Sequence, residues 1–411
     1  MIRRKDNKNR VLKEGEYQRT NGTFEYKWRD RWGKRHSIYA KTLEELRKKE
    51  SEVLRDILDG IRTNENDLIV NDLYYRWAQL KRGLKTNSFQ TYKYIYNQYV
   101  ESSFGKTRII DLKRSDVRAF YNHLADSLCL KYNTIHSIHI VLHQVLKFGV
   151  DDDYLRYNPA DNALNELKKV RGSDTEKKKA LTISEQKAFE NYISRKNRYR
   201  RWYPIFTVML YTGMRVGEVT GLCWEDINFK KGTITVRRTL VYYDKGNGNG
   251  CEFAINTPKT KTGERVIPML PKVKEAFIEE KERQEELNLS CESVIDGQTG
   301  FVFINQYGRV HNQIILNKVI RNIIKNCNKE VGSDVLPMFS NHTFRHTFTT
   351  RMCEAGVNIK VMQDILGHAD AETTLQIYAD ATEEMKQTEL INFEDYLTTN
   401  LRQFTTICKD L

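Results

Sequence analysis

Residues 164–179, LNELKKVRGSDTEKKK, hold five lysines, a Gly-Ser-Asp turn and few apolar side chains. Such a stretch adds little to any core, so Ala163 to Lys179 reads as a linker with separately folding units on either side. At 411 residues the chain is long enough for this, because a single core rarely grows past about 250–300 residues. A hydrophobic content of 39% is that of packed units rather than of a disordered coil.

Before the linker, two patterns follow each other. In Thr23 to Asp30 the aromatics Phe24, Tyr26 and Trp28 alternate with Glu25, Lys27 and Arg29, which predicts a strand with one apolar and one charged face. Asn21-Gly22 and Gly33-Lys34 supply turns, so Glu16 to Thr20 and Arg35 to Ala40 become flanking strands. Thr42 and Glu45 form a capping box for a helix that ends at Gly60. Residues 67–162 are expected to be helical throughout, with apolar stripes in Leu68 to Leu80, Phe89 to Val100, Arg114 to Leu128 and Asn133 to Val150. His136, His139 and His143 share a face of the last stripe, but no Asp, Glu or Cys completes a metal set at helical spacing, so no metal is expected.

After the linker the pattern is mixed. Helices at Ser184 to Lys196 and Arg201 to Thr212 precede strands at Thr233 to Tyr243, Cys251 to Asn256 and Arg265 to Met269, and helices then return. The fold class is therefore multidomain: a small α+β N-terminal three-stranded sheet plus helix (1–66), an all-α domain (67–162), a linker (163–179), a mixed, mainly α domain with a small antiparallel sheet (180–395) and a tail (396–411).

The formal charge of +13 favours a polyanionic partner, with nucleic acid foremost. Nearly half of it lies in residues 1–66, where Lys27, Arg29, Arg31 and Arg35 line the basic face of the expected sheet, the kind of surface that β-ribbon readers lay in a DNA groove. No apolar run approaches the roughly 18 residues that span a bilayer, and MIRRKDNKNR leads into no secretory core, so a cytoplasmic, nucleoid-associated protein with no membrane partner is expected. Seven separated cysteines, none in a Cys-x-x-Cys pair, suggest neither disulfides nor zinc.

Three short motifs carry possible chemistry. In TGMRVGE (212–218), Gly213 can end an apolar helix and leave Arg215 at the start of the next, aimed into a cleft. In NHTFRHTF (341–348), His342 and Arg345 share one helical face, while His346 lies about 100° away and reads as structural. In ILGHADAETTLQIYAD (365–380), Gly367 ends a helix, His368 follows in the turn and Tyr378 lies on the next helix. Each alone is weak, and as one of 22 tyrosines Tyr378 reads as readily as core packing. Glu218 and Asp226 are candidates to orient Arg215, or are simply exposed charges. No carboxylate cluster surrounds the motifs, which disfavours a two-metal nuclease.

Together, in this order, the motifs resemble those of the tyrosine recombinases, the phage-integrase type of site-specific recombinase. The resemblance covers residues 67–395 and implies a catalytic set of Arg215, a hairpin lysine, His342, Arg345, His368 and Tyr378. Lys259 in INTPKTKTGERVIPML (255–270) fits the lysine best, with Lys261 two residues along. It further implies that Tyr378 attacks a DNA phosphodiester to leave a 3′-phosphotyrosine and a free 5′-hydroxyl, with no cofactor. The two arginines and two histidines would stabilise the phosphorane oxygens or help deprotonate the tyrosine, and the lysine would protonate the leaving oxygen. Residues 67–162 would be a SAM-like core-binding domain and 180–395 the catalytic domain. The N-terminal module and the EGEYQRTNGTFEYKW stretch (14–28) are similar to integrases of conjugative transposons. There the sheet binds arm-type att sites apart from the core-type sites, a homotetramer forms the synapse, and an excisionase and a host DNA-bending protein assist. The acidic tail would pack on its own subunit or on a neighbour. A DNA-binding accessory protein that has lost cleavage and a type IB-like topoisomerase are the alternatives.

Overall fold

The computed structural model describes residues 4–29, 33–58, 67–84, 86–172, 180–256, 264–367, 390–391 and 393–394. The chain divides into two units, residues 1–176 and 177–411.

The first unit begins with β1 (Glu16–Gln18), β2 (Phe24–Arg29) and β3 (Arg35–Ala40), an antiparallel sheet in that order, followed by α1 (Leu43–Leu58). The aromatic alternation sets the register. Phe24 lies opposite Ala40, Tyr26 opposite Ile38 and Trp28 opposite His36, and Phe24, Tyr26 and Ala40 are buried with Leu43 and Leu46 of the helix. The Thr42 hydroxyl caps the helix by accepting from the Glu45 amide at 3.2 Å. Glu25 departs from the expected charged face: it is buried. Tyr17 and Tyr39 stand opposite it on the neighbouring strands, and the Tyr39 hydroxyl donates to its carboxylate.

Helices α2 (Val70–Leu80), α3 (Thr86–Tyr99), α4 (Arg114–Asp126) and α5 (Tyr132–Asp151) follow, matching the four apolar stripes to within a few residues. Their core includes Tyr74 stacked face to face on Tyr96 at 3.5 Å. The expected linker is shorter than its composition implied. The linker does not begin at 163: Ala163 and Leu164 are buried in this core, and residues 165–171 form α6 (Asn165–Arg171). Leu164 and Leu167 supply an apolar edge while Lys168 and Lys169 stay in solvent, and Arg171 clamps the end by donating to the Ala125 carbonyl and Asp126. Residues 173–179 lie outside the described residues. Of the three α5 histidines, His136 is exposed and the other two are half-buried and partnered. His139 pairs with the Tyr121 hydroxyl and His143 with Asp161, and burial, then the neighbouring His143 and His136, brings His139 down to about 4.

The second unit carries α7 (Ile183–Arg195), α8 (Asn197–Arg200), α9 (Tyr203–Thr212) and α10 (Val216–Thr220) ahead of its strands. Then come β4 (Ile227–Asn228), β5 (Thr233–Val236), β6 (Thr239–Asp244), β7 (Cys251–Asn256) and β8 (Arg265–Pro268). The strand expected over Thr233 to Tyr243 is broken at Arg237-Arg238, where Arg238 turns to pair with Asp226 at 2.6 Å and Glu225 at 2.8 Å. Its halves serve different sheets, β4-β5-β8 and β6-β7. Hence β7 and β8, which flank the candidate lysines, do not pair with each other. The unit ends with α11 (Pro271–Glu286), α12 (Gln313–Val331), α13 (Asn341–Glu354) and α14 (Ile359–Leu366). Helix α9 is apolar all round and buried, as a central helix must be, and carries Thr212-Gly213 at its C-terminal end.

Candidate active site

Gly213 ends α9 with φ +62°, a left-handed conformation that favours glycine. A Cβ there would stand 2.3 Å from the Phe348 ring of α13, so the turn lies directly against that helix. Two residues on, Arg215 caps α10. Its amide donates to Glu218 Oε2 at 2.8 Å and its guanidinium to Glu218 Oε1 at 2.9 Å, while the side chain stays 42% exposed. One edge of the guanidinium is held and the rest faces outward.

Glu218 is the shared anchor. Its carboxylate is buried and is gripped by both terminal nitrogens of Arg265, at 2.8 and 3.2 Å. Burial would raise this carboxyl, but the hydrogen bond and charge of Arg265, then those of Arg215, hold it below its ordinary 4.5. Of the two acidic candidates, only Glu218 orients Arg215. Asp226 is committed to Arg238, to Arg237 and to the Cys223 amide.

Arg345 lies in the second turn of α13 and is 5% exposed. Its two terminal nitrogens donate to the carbonyl oxygens of Gly213 and Leu366, each at 2.8 Å. One guanidinium thereby joins the TGMR turn, the HTFR helix and the end of the helix that precedes His368. Among the described residues no carboxylate pairs with it. Burial and then the positive charge of Arg215, only partly offset by Glu218, bring Arg345 down to about 9, so it remains a cation at neutral pH. Among the described residues, three guanidiniums and one carboxylate, bonded to two of them, leave net positive charge in a largely buried site, which suits a bound anion. His342, one turn before Arg345, is exposed. His346, read as structural, has Nδ1 buried and without a hydrogen-bond partner among the described residues.

The structure thus brings together Arg215, Arg345 and Glu218, and adds Arg265, which the motifs did not single out. Lys259, His368 and Tyr378 lie outside the described residues, as does Arg31. The signal for Arg265 was present in the pattern of β8, where alternation places it on the buried side with Ile267. On the N-terminal sheet, Lys27, Arg29 and Arg35 are exposed, and Arg29 stands directly opposite Arg35. Like charges in that register disfavour the isolated sheet and suit a polyanion lying across it.

Glu218→Gln should cost about 3–5 kcal/mol of stability, because it leaves the buried Arg265 without its counter-ion. The pH dependence has a definite sign. The folded-state carboxyl lies below 4.5, so its stabilisation is complete above that value and is lost as pH falls through the depressed one. Urea midpoints should therefore decline more steeply for the natural protein than for the glutamine variant as pH drops below about 4.5.

Comparison with known proteins gives a consistent picture. Residues 179–385 match the phage integrase family model, residues 1–61 the DNA-binding domain of Tn916 integrase, and residues 70–125 the phage integrase N-terminal SAM-like domain. The transposase from transposon Tn916 of Enterococcus faecalis is 29% identical over 94% of this chain and 96% of its own length. A XerC-like tyrosine recombinase of Caldanaerobacter subterraneus is 28% identical over 94% and 98%. The Tn1549 transposon integrase, solved in complex with circular-intermediate DNA, superposes with a TM-score of 0.71 at 28% identity, covering 79% of this chain and 99% of that one. No helix among the described residues is long and apolar enough to cross a membrane. With its buried arginine cluster and a family match spanning half its length, the chain belongs to the phage integrase family, the tyrosine site-specific recombinases.

Proposed function

We propose that this recombinase integrates and excises a mobile DNA element, cutting and rejoining strands through a 3′-phosphotyrosine on Tyr378. The observation that carries the reading is Arg345: a buried guanidinium that spans two of the three motifs' backbones and, among the described residues, pairs with no carboxylate is suited to an incoming phosphate. Arg215, held from one side by Glu218, supplies a second cation aimed outward. Both would bind the non-bridging oxygens as the phosphorane forms. His342 and His368 would donate to the same oxygens or assist loss of the tyrosine proton, and Lys259, or Lys261 beside it, would protonate the departing 5′-oxygen. The phosphotyrosyl link conserves the energy of the broken bond, so no cofactor enters.

In this proposal the helices of residues 67–162 form the second jaw of a clamp on core-type DNA. The N-terminal sheet holds arm-type sites through Lys27, Arg29, Arg31 and Arg35. Four subunits exchange two strands at a time through a Holliday junction, with an excisionase and a host DNA-bending protein as accessory partners. The similarity of residues 1–61 to the DNA-binding domain of Tn916 integrase, and the circular-intermediate DNA in the Tn1549 integrase complex, support these assignments.

The test is a nicked duplex spanning the junction DNA of the element that carries the gene, incubated with the protein in EDTA and resolved on a denaturing gel. A covalent protein–DNA adduct is expected, together with strand exchange between two such duplexes. Absence of an adduct would refute the cleavage mechanism, and relaxation of supercoils without exchange would point to a topoisomerase.

A further inference from the structure

Arg265 occupies a position that the family's chemical roles do not account for. It opens β8, and its side chain is 5% exposed. Its terminal nitrogens take both oxygens of Glu218, whose carboxylate also receives the amide and guanidinium of Arg215. Its Nε donates to the carbonyl oxygen of Ile365 at 2.6 Å. The next carbonyl along, that of Leu366, is the one that accepts from Arg345. Two consecutive carbonyls at the end of α14 are therefore captured by two guanidiniums, one from a strand and one from a helix. Gly367 then turns the chain at φ +66°, and a Cβ there would lie 2.9 Å from Arg265 Nη1, so the turn closes directly on this guanidinium.

We infer that Arg265 is a positioning residue for DNA cleavage, setting the placement of Arg215 through Glu218 and of Arg345 through the 365–367 turn. The inference rests on the recombinase reading above, because it assigns Arg265 to the geometry of that reaction. A fold-stabilising ion pair needs only the grip on Glu218. The contact with Ile365 and the closure of Gly367 add a link between β8 and the backbone that holds the other arginine. The guanidinium is required in full: three of its nitrogens are used in two directions, which a lysine ammonium, as a single point of donation, cannot reproduce. Losing the link displaces both phosphate-binding arginines without removing either, and a displacement of about 1 Å can lower a rate about 100-fold.

The experiment measures single-turnover adduct formation on the nicked junction duplex with protein in excess, alongside duplex affinity and thermal midpoint, for the natural protein, Arg265→Gln, Glu218→Gln and the double variant. Arg265→Gln should reduce the cleavage rate constant about 100-fold while duplex affinity changes less than about threefold. The double variant should cleave no more slowly than Arg265→Gln, because the Arg265–Glu218 pair that the second change removes is already broken in that variant. If Arg265→Gln fails to fold, Arg265→Lys keeps the buried charge and is read by the same criteria. Cleavage at the natural rate, a loss of affinity equal to the loss of rate, or multiplicative losses in the double variant would each overturn the positioning role. Those outcomes leave the recombinase reading intact as long as the natural protein forms the adduct. Failure of the natural protein itself to form one would remove that reading and the positioning role with it.

Discussion

Arg345→Ala should slow covalent adduct formation by about 100- to 1,000-fold, the usual loss when one preorganised donor to a transition-state oxyanion is removed. The size of the effect follows from how the side chain is held. Arg345 is buried, its terminal nitrogens are spent on two backbone carbonyls from different segments, and its charge is already resisted by burial and by Arg215. A cation kept in so unfavourable a setting is stabilised when a phosphate arrives, and more so as the phosphorane gains negative charge. The alanine variant loses that interaction and also frees the Gly213 and Leu366 carbonyls, so the measurement needs a companion. Arg345→Lys keeps a cation but cannot bridge two carbonyls in a fork, and it should recover only a small part of the rate. Duplex affinity, measured by anisotropy, should fall far less than the rate in both variants. Equal losses would mean that Arg345 merely holds DNA.

Tyr378→Phe should abolish the adduct altogether while leaving junction-duplex affinity unchanged within about twofold. Removing an oxyanion donor leaves a slower reaction, whereas removing the nucleophile leaves none to form the bond that is measured. Phenylalanine keeps the ring and its packing, so a change in affinity would signal a structural role instead. An adduct that persists in this variant would show that another residue makes the link, and Tyr378 would return to the core-packing reading that its abundance among 22 tyrosines first allowed.

The parts of the site that were legible in advance are those whose geometry is local. Gly213 before Arg215 announces a helix stop followed by a helix start, and α9 and α10 meet there. His342 and Arg345 lie on one helix, α13, as their spacing implied, although His342 is exposed and Arg345 is buried. The N-terminal sheet was legible for the same reason, since the alternation of Phe24, Tyr26 and Trp28 is a property of six successive residues. Readings failed where a side chain's environment comes from far along the chain. Glu25 looked like a surface charge until tyrosines from two neighbouring strands flanked it. Asp226 and Glu218 looked equivalent, yet one meets Arg238 twelve residues on and the other Arg265, forty-seven residues on. The polar stretch from 163 looked like a tether because its lysines outnumber its leucines. Leu164 and Leu167 nevertheless find a core to join, and Arg171 finds the end of α4.

By itself the sequence determined the type of most elements, the mixed multidomain class, the basic N-terminal face and the order of the motifs, because periodicity, turn chemistry and charge are carried by neighbouring residues. Only the tertiary structure decided that one buried carboxylate would hold Arg215 and Arg265 together, that Arg345 would be bound by two backbone carbonyls, and that a strand arginine would close on Gly367. The physical reason is desolvation. A charge on an exposed helix and the same charge in a dry cluster are written with the same letter, and packing between distant segments determines which of them must find a partner and which keeps its capacity for an incoming anion.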